Sequence, residues 1–237
     1  MVAGILRAFS LCGNQIPCRY AEESSGGADM KNVRYIPVVV VFAMLASIVA
    51  CCNDCEIPAN EGLPYEAAVF EVEGETAFMY GVIDHTTPGV VQALVNEHPE
   101  VTRIVMVDVP GSDNDPANLK ASRLVRESGL TTVVPSNGVI ASGGVDFFTA
   151  GKIRVVEPCA KLGVHSWDED GPDGGIILGN QVARDHEIHT MFLDFYREME
   201  IPEDFYWFTL EAAPPQRIHW MSDEEIVLYG LETAAAR

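Results

Sequence analysis

The apolar positions of the chain fall into two regimes. Residues 35–50 form one almost unbroken apolar run, whereas beyond residue 66 short apolar stretches alternate with polar ones. In that second part, residues 69–72 and 76–83 read as strands joined by a turn at Gly74. Residues 101–109 (VTRIVMVDV) carry the strongest strand signal, a nearly continuous apolar run suited to a parallel sheet covered on both faces. Residues 118–128 place Leu119, Leu124 and Val125 at helical spacing, with Gly129 positioned to cap the C-terminus. A strand follows at 130–134, a helix at 141–150, and strands at 153–156 and 162–164. A long amphipathic helix is expected over about 182–200, ahead of Pro202, then shorter helices over 203–212 and 222–231. Strands alternating with helices imply right-handed βαβ units and one α/β domain on a mostly parallel sheet. That domain spans 68–237, and the polar stretch with Pro58, Gly62 and Pro64 makes 51–67 a tether.

The first apolar run has a different meaning. It follows Met30, Lys31 and Arg34, the order of a charged and then an apolar region of a secretory signal. We expect Met30 to be the natural start, with 1–29 an upstream extension. The run ends in Ile48-Val49-Ala50-Cys51, which resembles a bacterial lipobox, so Cys51 is the expected lipid-modified residue. The competing reading is a plain membrane anchor, although 35–52 is at the short end of a bilayer span. Either way the domain is expected on the periplasmic side of a bacterial membrane, held there by its N-terminus. Cys51, Cys52 and Cys55 cluster at this point and only Cys159 lies in the domain, so no internal disulfide framework is expected. Cys52 and Cys55 spell C-x-x-C outside any βαβ pattern, which argues against a redox site.

Charge narrows the partners. Against 15 Lys and Arg stand 35 Asp and Glu, a net charge of -20, and nearly all of the excess belongs to the domain. Such a surface repels nucleic acid. Neither G-x-x-x-x-G-K-[ST] nor G-x-G-x-x-G occurs, so nucleotide binding has no support and no cofactor is expected.

Two glycine-containing turns close predicted strands: Val109-Pro110-Gly111-Ser112 and Ile140-Ala141-Ser142-Gly143-Gly144. A serine at a helix start has free backbone N–H groups and the positive end of the helix dipole beside it, which favours an exposed, activated hydroxyl. His165 ends a strand in Gly163-Val164-His165-Ser166-Trp167 and is placed to accept a proton. Taken singly, a serine near glycines is most often an N-cap and a lone histidine most often structural.

The order of the three motifs PGS, ASGG and GVH resembles the ClpP/crotonase superfamily, in particular its exported ClpP-like members and signal peptide peptidase A. The stretch 147–152 and the segment SDEEIVLYG at 222–230 resemble the same proteins, so the likeness runs over roughly 76–233. It implies a fold of repeated ββα units around a mostly parallel sheet, a peptide or protein substrate, and assembly into oligomers. It also implies roles: Ser142 as nucleophile, His165 as base, and the N–H groups of Gly111 and Gly143 as an oxyanion hole. Two positions depart from the pattern. Pro-Gly-Ser stands where the proteases have Pro-Gly-Gly, and the triad acid falls on Ile218, in a stretch without a carboxylate. Losing the orienting acid can cost about 10⁴ in rate. Either a Ser–His dyad operates, or Asp168, Asp170 or Asp185 supplies the acid, or the domain is a catalytically silent binder of peptides or envelope partners. Acyl-CoA chemistry is disfavoured by export.

Three further features carry weaker readings. His186 and His189 share an arc of the expected long helix, but a solvated polar face explains them better than a metal. Asp168, Glu169, Asp170 and Asp173 with three glycines form an acidic loop that could serve as a lid. The aromatic cluster 205–208 is expected chiefly to pack the last helices onto the sheet.

Overall fold

The structure is a computed structural model, and it describes residues 66–234. The expected signal segment, Met30, the expected lipidation site Cys51 and most of the expected tether lie outside the described residues. Among the described residues no helix is long and apolar enough to cross a membrane.

Strands β1 (Val69–Glu73) and β2 (Thr76–Tyr80) form an antiparallel hairpin about Gly74, whose φ of +58° suits a residue without a Cβ. Helix α1 (Thr87–Glu97) then leads to β3 (Arg103–Val109), parallel to β2. This helix is not among the expected ones. Thr-Pro-Gly reads as a turn, yet proline is well tolerated at the first helical positions, and Val91 and Leu94 then face the core. Helix α2 (Asp115–Glu127) starts three residues earlier than expected, capped by the Asn114 side chain, which accepts from the Ala117 N–H at 2.9 Å. Next come β4 (Thr131–Val134), β5 (Val139–Ala141), α3 (Gly143–Thr149), β6 (Ile153–Val156) and β7 (Lys161–Val164).

The sheet forks at β3. Its first half pairs with β4, which pairs with β6; its last residues pair with β5, which pairs with β7, all in parallel. Buried Ile104, Met106, Val109, Ile140 and Leu162 line the fork, as the apolar run of β3 requires. The mixed α/β domain with a mostly parallel sheet is thus as expected.

The second half departs more from expectation. The acidic loop is a two-stranded hairpin, β8 (Asp168–Asp170) with β9 (Ile176–Leu178). The long helix over 182–200 is not formed. Single 3₁₀ turns occupy Gly179–Gln181 and Glu187–His189, and only α4 (Thr190–Glu198) is α-helical. The physical reason is burial. Phe192, Phe195 and Tyr196 share one helical face, whereas the polar residues before them offer no apolar stripe to bury. Helix α5 (Glu203–Ala212) matches its expected span, and β10 (His219–Trp220) lies antiparallel on β7. Helix α6 (Asp223–Leu228) opens with a Ser222–Glu225 capping box. Arg154, 4% exposed, donates to the carbonyls of Leu231 (2.8 Å) and Gly230 (3.0 Å) and so fastens this closing helix to β6. Contrary to the expectation for a single domain cysteine, Cys159 is disulfide-bonded.

Candidate active site

The fork decides where chemistry can gather. Val109 of β3 is opposite Ile140, and Ala141 of β5 is opposite Gly163 of β7, so three parallel strands end side by side. Sites in α/β sheets form beyond such carboxyl ends. The residues that follow are Gly111, Ser142 and His165.

Ser142 is one of three non-glycine residues with positive φ among the described residues, at φ 51° and ψ -131°. A side chain there costs roughly 1–3 kcal/mol and persists only where the surroundings impose it. Here they do: the Ser142 N–H donates to the Gly163 carbonyl at 2.9 Å, and its own carbonyl accepts from Val145 at 2.8 Å. Although Ser142 stands at the N-cap position of α3, its hydroxyl makes no capping bond. The helix therefore leaves the hydroxyl free. Gly111, at φ +151°, faces it: a Cβ there would lie 3.1 Å from Ser142 Cβ and 3.6 Å from Oγ. Gly143 is the first residue of α3, so its N–H is one that the helical pattern leaves open. Its carbonyl is held at 2.8 Å by the amide of Asn118, a fully buried residue of α2. Gly144 permits contact with β3, since a Cβ would reach 2.5 Å from the Val109 carbonyl.

Ser142, Gly143 and His165 line one cavity of about 40 Å³, room for about three waters, together with Asp115, Asp146 and an aromatic wall. The His165 Nδ1 is 2.7 Å from the Ser166 carbonyl. A carbonyl only accepts, so Nδ1 carries the proton and Nε2 keeps a lone pair. The wall is self-supporting. Trp167 Nε1 donates to the Tyr206 hydroxyl at 3.0 Å, and Phe192 stacks on the Tyr206 ring at 5.4 Å. The 205–208 cluster thus does more than pack helices, because Tyr206 lines the cavity.

Both cavity carboxyls are perturbed. Burial pushes the Asp146 pKa up to about 7, against the hydrogen bond that the Tyr196 hydroxyl donates to it, with the charge of Asp115 adding to the rise. Burial also raises Asp115. The Ser112 hydroxyl, donating at 2.7 Å, opposes that rise, Glu169 adds to it, and the charge of His165 lowers it. Such shifts in a cleft are typical of functional sites.

The cavity adjoins a groove of about 770 Å³ with which it shares Asp115, Trp167 and Phe192. Among the described residues the groove is lined by five carboxylates, Asp113, Asp115, Asp168, Glu169 and Glu187, and by no Lys or Arg. The β8–β9 hairpin supplies one rim.

The acid candidates named from sequence are not at the cavity. Asp168, Asp170 and Asp185 are exposed, and of the three only Asp168 reaches the groove. Asp115 and Asp146 stand there instead. Asp115 belongs to the stretch Asp113 to Asp115, whose composition suits a helix cap, and no motif sets Asp146 apart in the sequence. The β10 register of His219 on Val164, continued by one residue, sets Ile218 beside His165, where the resemblance puts an acid. His186 and His189 share no face: His186 caps the 3₁₀ turn, and fully buried His189 meets the Tyr206 hydroxyl at 2.6 Å.

No protein-family model and no curated protein sequence matches the chain. Solved structures do. A mutant of the 1510-N membrane-bound stomatin-specific protease is similar at 14% identity and a TM-score of 0.46, over 70% of this chain and 82% of that one. An enoyl-CoA hydratase from Bacillus halodurans is similar at 14% identity and a TM-score of 0.43, over 71% of this chain and 72% of that one. These likenesses concern the path of the chain; the reading of the site rests on its residues.

Proposed function

We propose that this protein is a membrane-tethered, extracytoplasmic serine hydrolase that cleaves peptides. The observation that carries the reading is the positive-φ serine, its hydroxyl unused by the helix, in one cavity with a histidine whose Nε2 is free to accept. Ser142 Oγ attacks the scissile carbonyl carbon as its proton passes to His165 Nε2. The tetrahedral oxyanion is received by the N–H groups of Gly111 and Gly143. The leaving amine departs with the proton from His165, and water then hydrolyses the acyl-serine by the reverse transfers. Peptides fit better than acyl-CoA, because a groove of five carboxylates repels phosphates and admits extended, cationic chain.

The test is incubation of the purified protein with a fluorophosphonate and mapping of the adduct by mass spectrometry. The expected result is one adduct, on Ser142. A folded protein that takes none favours the second reading, a silent binding domain, to which Ile218 beside His165 gives its support. The groove adds a separate expectation. Peptides with Lys or Arg flanking the scissile bond should be cleaved about tenfold faster than Asp or Glu counterparts, a preference that shrinks as salt rises to 0.5 M. Equal rates at low salt would refute it.

A further inference from the structure

The two departures from the family pattern, Ser112 and Ile218, belong to one arrangement. No carboxylate reaches His165 from β10. The acid that pairs with β10, Glu225, is held by His219 at 2.9 Å and by the Ser222 N–H at 2.8 Å. Asp115 comes from a different element. It stands in the first turn of α2, lines the cavity with Ser142 and His165, and accepts a 2.7 Å hydrogen bond from Ser112. The Ser112 side chain in turn lies against the nucleophile's helix, since a Cβ on Gly143 would come within 2.7 Å of Ser112 Cβ. A glycine at 112 could not supply that hydroxyl.

We infer that Asp115, held by Ser112, provides the negative charge that stabilises His165 when it takes up the serine proton, in place of the acid missing at Ile218. The two tasks of a triad acid are then divided. The Ser166 carbonyl fixes the ring and its tautomer, and Asp115 compensates the imidazolium. Asp115 acts through His165 and is a positioning residue. Burial is the largest influence on Asp115 and raises its pKa; the Ser112 hydrogen bond and the charge of His165 work against that rise. The other titratable groups lining the cavity are Asp146 on α3, Tyr196 on α4 and Tyr206 on α5, and the adjoining groove adds Asp113, Asp168, Glu169 and Glu187. Asp146 is predominantly uncharged below about pH 7, and burial holds both tyrosines neutral, which leaves Asp115 as the other carboxyl of the cavity.

The inference rests on the Ser142–His165 reading, and two measurements separate them. The first is the pH profile of fluorophosphonate labelling. Asp115→Asn should slow labelling about 10- to 100-fold and move its acidic limb down by about one pH unit, because proton loss from the imidazole becomes easier. Asp115→Glu should recover part of the rate, and Ser112→Ala should fall between. The second is a carbon-13 titration of the Asp115 carboxyl in the wild type and in His165→Gln, where its midpoint should rise once the cation is gone. Wild-type labelling with an unmoved acidic limb in Asp115→Asn overturns the inference and leaves the hydrolase reading in place. Absence of labelling in the wild type overturns that reading instead. The carboxyl titration then still decides the coupling, and an unchanged midpoint refutes it.

Discussion

Ser142→Gly is expected to abolish hydrolysis and to stabilise the fold in the same protein. Loss of the nucleophile should lower kcat on the order of 10⁶-fold. The stability change follows from the backbone. At φ 51° and ψ -131° a side chain carries roughly 1–3 kcal/mol of strain, which glycine relieves. Glycine returns roughly 0.5–1 kcal/mol as added freedom of the unfolded chain. The net gain is about 1 kcal/mol, a rise of about 2–4 °C in Tm. Ser142→Ala should lose the activity equally without that gain, because its Cβ keeps the strain. Thermal unfolding of the three proteins side by side checks this. A Ser142→Gly variant less stable than the wild type would show that the serine's conformation is not strained.

Asp146→Asn should change the pH dependence of stability more than any other substitution at the cavity. The folded carboxyl titrates near pH 7, whereas in the unfolded chain it titrates near 3.8. Between those values the folded state keeps a proton that the unfolded state has released, so stability falls as pH rises through this window. Three units at about 1.4 kcal/mol each amount to about 4 kcal/mol. The contribution is fully present below about pH 4 and gone above about pH 7. Asparagine has the shape of the neutral acid and can still accept from Tyr196. The variant should therefore match the wild type near pH 4 and exceed it by about 3–4 kcal/mol at pH 8. Urea unfolding at the two pH values decides it, and the same difference at both would refute a buried, protonated Asp146.

Much of the fold is legible in the sequence where one rule governs one element. The apolar run of β3 can only be a covered strand, and residues 203–212 are bounded by Pro202 before and Pro214 after. Helix α1 was missed because Thr-Pro-Gly serves both turns and helix starts, and the choice is made by what Val91 and Leu94 can bury. The stretch 182–189 failed in the opposite sense. A continuous helix there competes with the burial of His189 against Tyr206, a contact 17 residues apart that no local period reveals. At the site, Ser142, Gly143, Gly111 and His165 stand out because each follows a strand, and motif order reports strand order. The acids were misjudged for the same reason. Asp115 and Asp146 sit on helices, and only the packing of α2 and α3 against the strand ends shows which helical residues face inward.

Each member of the Gly111, Ser142 and His165 set is anchored to its own strand, and those strands are joined residue by residue. The β8–β9 hairpin that rims the groove has no such ties: its strands pair only with each other. The candidate reacting groups and the entrance are consequently carried by separately paired strands. Under the proposed function, changes of length within residues 168–178 would alter which chains enter while the backbone pairing at the strand ends stays as it is.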